Sequence, residues 1–352
     1  MIQLKKQFGM SLVATLAFAL VSIGIGNAEE WRIATLAPDG SSWMKVLSKG
    51  AAAVDVKTES RVKFKYYTSG SQGDEKDVVR KMKSGGLDGG ALTSVGLSSI
   101  EPSVRVLELP LLFKDVQELD YVRSKMWPTF KKRFEKKGFH LGHPGDVGFI
   151  YFYSKNPVKS IADLKKQKVW QWTDDTIIKA LYKNMGVNGV PLGVPEVLPG
   201  LKTGRINATY GSPVAVNAFQ WHTKVKYSTS MPLAYGVGAT VIKMEKWNAM
   251  SGSDKSLVGK IMQAQSKKLR KTIRKDNTKA AKAIERLGVK SLGSPPEMVA
   301  EFTKQSEKVW QDLTGKLFSK KDLETVLKHR ACLLYTSPSP RDATLSRMPS
   351  SA

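Results

Sequence analysis

One cysteine and four histidines among 352 residues leave little material for thiol or imidazole chemistry. Cys332 lies near the C-terminus, so the body of the chain has no disulfide, no thiol nucleophile and no cysteine-based metal site, which is compatible with an oxidising compartment. Gly-x-Ser-x-Gly elbows, Walker loops and Gly-x-Gly-x-x-Gly turns after a strand are missing, which removes the hydrolase, nucleotide and dinucleotide readings. The nearest approach to a metal cluster, His140-x-x-His143-x-x-Asp146, contains Gly142, Pro144 and Gly145. These forbid a helix presenting all three side chains on one face and leave only a loop site. His222 is expected at a helix end, meeting the last carbonyls. No enzyme and no cofactor are expected.

Acids are also scarce, with 31 Asp and Glu against 56 Lys and Arg and a formal net charge of +25. The lysines are spread through every segment, and no helix-turn-helix, RNP or zinc-finger spacing accompanies them. Nucleic acid is therefore not an expected partner; the excess reads as a solvated basic surface able to steer anionic solutes or headgroups. With 41 % hydrophobic and 25 % charged residues, the chain is neither wholly disordered nor collagenous nor a multi-span membrane protein.

The one long apolar run, over 8–25, follows Lys5 and Lys6 and ends in Gly26-Asn27-Ala28. Gly, Ser and Thr interrupt it and no stop-transfer flank follows, so 1–28 reads as a secretory signal peptide rather than an anchor. At the other end, Cys332-Leu-Leu-Tyr-Thr-Ser-Pro-Ser-Pro-Arg-Asp342 opens a stretch without apolar periodicity. Residues 332–352 resemble a translated sequencing adapter, with a disordered tail as the alternative. About 300 residues remain, enough for two domains.

Within that body short apolar strands alternate with helical patterns: strands over 31–36 and 62–68, helices over 42–58 and 74–84, and a strand over 89–93 with Ser94 as the next cap. A second α/β series begins near 148, with strands at 148–153, 168–172, 190–192 and 206–210 and helices at 175–185, 195–203 and 213–222. Strands near 225–232 and 236–243 precede a Lys- and Ala-rich helix over 254–287, about 50 Å long and able to bridge two lobes. Helices over 296–315 and 321–330 follow. The expected fold class is α/β, in two lobes.

A ligand cleft is then expected between the lobes, at the carboxyl ends of the strands. Trp170 and Trp172 share one face of a strand at its C-terminal end, and Thr173 or Asp174 is placed to cap the next helix. Two readings of the pair stand, a cleft wall or core. Ser212 and Pro213 fit the N-cap and first position of a helix whose N-terminus faces the cleft, although plain capping accounts for them equally well.

Several motifs in order resemble the substrate-binding subunits of tripartite ATP-independent periplasmic (TRAP) transporters, the DctP family. They are Ala37-Pro38-Asp39-Gly40-Ser41-Ser42-Trp43-Met44, Gly70-Ser71-Gln72-Gly73-Asp74, Met82-Lys83-Ser84-Gly85-Gly86-Leu87-Asp88, Leu109-Pro110-Leu111-Leu112-Phe113, Ser160-Ile161-Ala162-Asp163-Leu164-Lys165 and Val194-Pro195-Glu196-Val197-Leu198-Pro199-Gly200-Leu201-Lys202-Thr203-Gly204. The resemblance covers nearly all of 29–330. It implies a two-lobed periplasmic-binding-protein fold with hinge strands and a long helix crossing both lobes, lobe I holding 29–147 plus 234–275 and lobe II 148–233 plus 276–331. It also implies a periplasmic receptor that captures a small organic solute, an organic acid or a partly apolar or aromatic compound, and delivers it to a small and a large membrane subunit. A receptor for an ATP-driven importer and a sensory receptor are the alternatives.

By the same resemblance, Glu75, Thr93, Thr173 and Ser212 fall at ligand-facing positions, and Trp43, Phe149, Tyr151, Trp172 and Tyr210 lie near enough to line the cleft. One departure stands out. Where most members carry a carboxylate-binding arginine, this chain has Trp170, and a second arginine of some members falls near Ile150. A guanidinium pairs bidentately with a carboxylate, whereas an indole offers one N–H and a large apolar face.

Overall fold

The computed structural model describes residues 29–336; 1–28, the expected signal peptide, and 337–352 lie outside the described residues. The first half is built on β1 (Glu29–Thr35), α1 (Ser42–Lys57), β2 (Val62–Tyr67), α2 (Glu75–Lys83), β3 (Gly89–Thr93) and α3 (Ser94–Ser98). β1 pairs in parallel with β2 and β3, and its alternating Trp31 and Ile33 are buried. Side-chain caps fix the helix starts: Ser41 accepts from Met44 N–H, Asp74 from Glu75 N–H, and Thr93 from Val95 N–H. The cap of α3 is thus Thr93, one residue before the expected Ser94.

A 3-10 turn (Pro102–Glu108) and α4 (Val116–Lys136) lead into β4 (Phe139–Ser154), a 16-residue strand. The segment from His140 to Asp146, whose glycines and proline argue against a helix, is part of it. Gly142, Pro144, Gly145 and Gly148 are accommodated by register shifts between Leu141 and Pro144 and between Asp146 and Gly148.

The second half follows with α5 (Ile161–Lys165), β5 (Val169–Trp172), α6 (Thr176–Met185), β6 (Gly189–Leu192), α7 (Val197–Thr203), β7 (Ala208–Gly211), α8 (Pro213–Ala218) and β8 (Tyr227–Thr229). Asp175 caps α6, accepting from the Ile177 and Ile178 N–H groups, so neither Thr173 nor Asp174 has that role. β9 (Ala234–Lys243), α9 (Met244–Ala249), α10 (Gly252–Arg286), β10 (Lys290–Leu292), α11 (Pro296–Leu313) and α12 (Lys320–Thr336) complete the chain.

The main strand order is β2-β1-β3-β9-β4-β7-β5-β6. β4 pairs with β9 along 139–150 and with β7 over 151–154, so one strand runs through both lobes. α10 packs on α1, β4 and α8 and so touches both. α12, expected with the second lobe, packs instead on α4 and the 3-10 turn of the first, through an Arg133–Asp322 ion pair at 2.8 Å and a bond from Arg330 to the Leu112 carbonyl. It also continues through residue 336, into the segment expected to be foreign or disordered.

Candidate functional site

A cavity of about 190 Å³ lies between the lobes. The first lobe contributes Thr35 and Trp43, Glu75, and Leu92 and Thr93 of β3; the second contributes Trp170, Trp172, Tyr210 and Ser212. Met262, Gln265 and Leu269 of α10 close it from the side, a spacing of three and four that puts them on one helix face. That periodicity was available in the sequence and was the signal for them.

Three expected site residues lie elsewhere. Ile150 of β4 lines the cavity, so its strand neighbours Phe149 and Tyr151 are thrown to the opposite face, where Phe149 packs edge-on against Tyr235 with ring centroids 4.9 Å apart. Thr173 is exposed and outside the lining; its backbone N–H bonds to the Leu192 carbonyl.

Trp170 and Trp172 satisfy both readings of the pair. They are 2 % and 8 % exposed and belong to the hydrophobic core, yet both line the cavity. Trp170 stacks on Tyr210 at 4.5 Å and on Trp172 at 6.0 Å, with Trp221 edge-on at 5.4 Å. Three of the indole N–H groups are already engaged: Trp170 donates to the Leu192 carbonyl at 3.0 Å, Trp172 to Asp74 Oδ2 at 2.9 Å and Trp43 to the Asp146 carbonyl at 3.1 Å. What these side chains present to a ligand is therefore ring surface. No lysine or arginine is among the lining residues.

Polar groups are few and fixed. Ser212 caps α8 through the Ala215 N–H, as expected, and Pro213 is its first residue. His222 Nδ1 lies 3.4 Å from the Val216 carbonyl near the end of α8. Glu75 is 2 % exposed and accepts from Thr93 N–H, Thr93 Oγ1–H and Gly96 N–H at 2.7–2.8 Å. Burial pushes its carboxyl up to about 7, against the pull of those three donors on the charged form. A carboxyl raised in the folded state stabilises the fold below its unfolded value of 4.5, and that stabilisation is lost as pH rises through about 7. Thermal melts from pH 4 to 8 should therefore show Glu75→Gln with a flatter profile, the wild type losing roughly 3 kcal/mol more across that range. Parallel profiles would contradict this.

Hydrogen bonds and ion pairs join the two lobes. Asp74 Oδ2 of the first lobe accepts from Trp172 Nε1–H and from Val194 N–H at 3.0 Å; Lys76 pairs with Asp174, and buried Arg105 with Asp175. Asp74→Ser keeps a capping hydroxyl for α2 but withdraws the carboxylate from Trp172. With about 1 kcal/mol for each of the two lost hydrogen bonds, it should bind ligand roughly thirtyfold more weakly in a fluorescence titration.

The feature least visible in the sequence is Asp146. Its buried carboxylate accepts from Arg123 at 2.6 Å, Arg274 Nε at 2.7 Å and Tyr235 O–H at 2.8 Å, tying α4, α10 and β9 to β4 at the cavity edge. Among the described residues no group of His, Cys, Asp and Glu could hold a metal ion.

Residues 33–317 match the DctP family, described as bacterial extracellular solute-binding protein, family 7. The chain belongs to that family. This DctP-family protein is a solute-binding protein and not an enzyme. A solute-binding protein of Chromohalobacter salexigens is 27 % identical over 248 residues, 68 % of this chain and 72 % of the relative. A TRAP periplasmic solute-binding protein from Xanthobacter autotrophicus, solved with β-D-galacturonate, superposes with a TM-score of 0.80 at 20 % identity, covering 86 % of this chain and 99 % of the other. One from Desulfovibrio salexigens with bound orotic acid gives 0.80 at 17 % identity, covering 86 % and 99 %. At these identities the structures establish the shared fold.

Proposed function

We propose that this receptor works in the periplasm after removal of residues 1–28, captures one small organic acid with a ring or branched apolar body, and hands it to the small and large membrane subunits of a TRAP transporter. The observation that carries the solute class is the stacked wall of Trp172, Trp170 and Tyr210, N–H groups engaged, in a cavity without a lysine or arginine. Burying apolar ring surface at about 25 cal/mol per Å² replaces the ion pair that an arginine at position 170 would make. Galacturonate and orotic acid in the similar structures are both carboxylates with a ring, which supports this reading.

Trp170, Trp172, Tyr210 and Ser212 contact the solute from lobe II and Trp43, Glu75 and Thr93 from lobe I. Lobe I comprises 29–147 and 234–275 with α12, lobe II 148–233 and the remainder. Solute bridging both lobes favours the closed state and shifts the population towards it. Intrinsic tryptophan fluorescence titrated with cyclic monocarboxylates, branched monocarboxylates, neutral sugars and C4-dicarboxylates tests the assignment. Cyclic or branched monocarboxylates are expected to bind tightest; tightest binding of a C4-dicarboxylate would overturn it.

A further inference from the structure

Beside the solute cavity, a second pocket of about 310 Å³ opens between α4, β4, α9 and α10. Lys131, Lys255 and Lys260 converge on it, with His140, His143 and Trp247, and no carboxylate lines it. His140 stacks on Trp247 with ring centroids 3.5 Å apart and planes 5° from parallel, making one stiff wall. The three lysine side chains make no hydrogen bond or ion pair with any described residue, whereas four inward-lying arginines, Arg105, Arg123, Arg133 and Arg274, are paired with acids. Lys131 is half-buried, and burial pulls its pKa down despite Glu135 one turn along α4.

We infer that this pocket is a binding site for a small multivalent oxyanion of the phosphate, sulfate or polycarboxylate type. Three ammonium groups without an ion-pair partner among the described residues line a concavity that holds no carboxylate, and Lys131 is partly desolvated, so an anion bound there supplies the counter-charge they lack. Lysine suits a rounded oxyanion because it acts as a point charge with three rotatable donors. His143 and Met262 are shared with the solute cavity, so the anion sits one side chain away from the solute. The site does not depend on the identity of the transported solute.

Calorimetric titration of the secreted chain with inorganic phosphate, sulfate and citrate, at low and high salt, tests this. Saturable binding to one site is expected, weakened by salt. Lys131→Gln and Lys260→Gln should each weaken phosphate binding by about fivefold or more, whereas Lys131→Arg should retain it. Lys282→Gln, on the exposed far end of α10, should leave it unchanged. Trp172→Ala should also leave phosphate binding intact, which separates a free anion here from an anion held in the solute cavity. The inference is overturned by an absence of saturable heat, by Lys131→Gln and Lys260→Gln titrating like the wild type, or by loss of phosphate binding in Trp172→Ala. Lys260 is exposed, so its variant retains the fold even if Lys131→Gln does not.

Discussion

Trp170→Ala is expected to lower the free energy of unfolding by about 3–5 kcal/mol and to remove solute binding at the same time. The ring is nearly fully enclosed, stacked on Tyr210, flanked by Trp172 and met edge-on by Trp221, so its loss leaves a large void that the strand pairing of β5 cannot close. The Leu192 carbonyl also loses one of its two donors, keeping only the Thr173 N–H. Because the same ring is core on one side and cavity wall on the other, stability and affinity fall together. Trp170→Phe separates them: it keeps most of the packing, so the denaturant midpoint should recover most of the loss while solute affinity stays reduced by roughly tenfold. Urea titration with and without solute reads both. A Trp170→Ala protein binding solute like the wild type would show that the ligand does not use this wall.

The second large effect is expected at Asp146. Removing its carboxylate leaves the Arg123 guanidinium, itself buried, with only the half-exposed Asp120 as an acidic partner, and also frees Arg274 Nε and the Tyr235 hydroxyl. Breaking a buried pair by deleting one partner costs about 3–5 kcal/mol, because the remaining charge stays buried. Asp146→Ala should therefore destabilise about as much as the loss of a large core side chain, although it removes only a few atoms. Asp146→Asn, which keeps an acceptor but not the charge, should fall between. Since this carboxylate joins α4, α10 and β9 to β4 where the strand passes between lobes, hydrogen exchange in those four elements should rise together in Asp146→Ala. Acceleration confined to β4 would mean that the carboxylate does not couple them.

Much of the site was legible because local rules have a short range. Trp170 and Trp172 fall on one face of β5 by the two-residue period, Ser212 and Pro213 start α8 by cap chemistry, and the order of the motifs identified the family. The family resemblance was a poorer guide at β4. Phe149 and Tyr151 look like cleft residues until it is known that Ile150 holds the inward position, and that choice follows the register shift between Asp146 and Gly148. A bulge changes which face a side chain joins, and its position depends on the partner strand β9, some ninety residues on.

The chain's own pattern determined the α/β alternation, the starts of the helices it led one to expect to within two residues, and the scarcity of thiol and imidazole groups. Tertiary structure alone decided that the three indole N–H groups are engaged by Leu192, Asp74 and Asp146, that Asp146 is a buried ionic centre rather than a metal ligand, that α12 returns to the first lobe, and that Lys131, Lys255 and Lys260 surround one hollow. The reason is distance along the chain. Caps and amphipathic faces are set by neighbours within a turn or two, whereas each of these outcomes joins groups from separate elements, and only the packing of those elements brings them within reach.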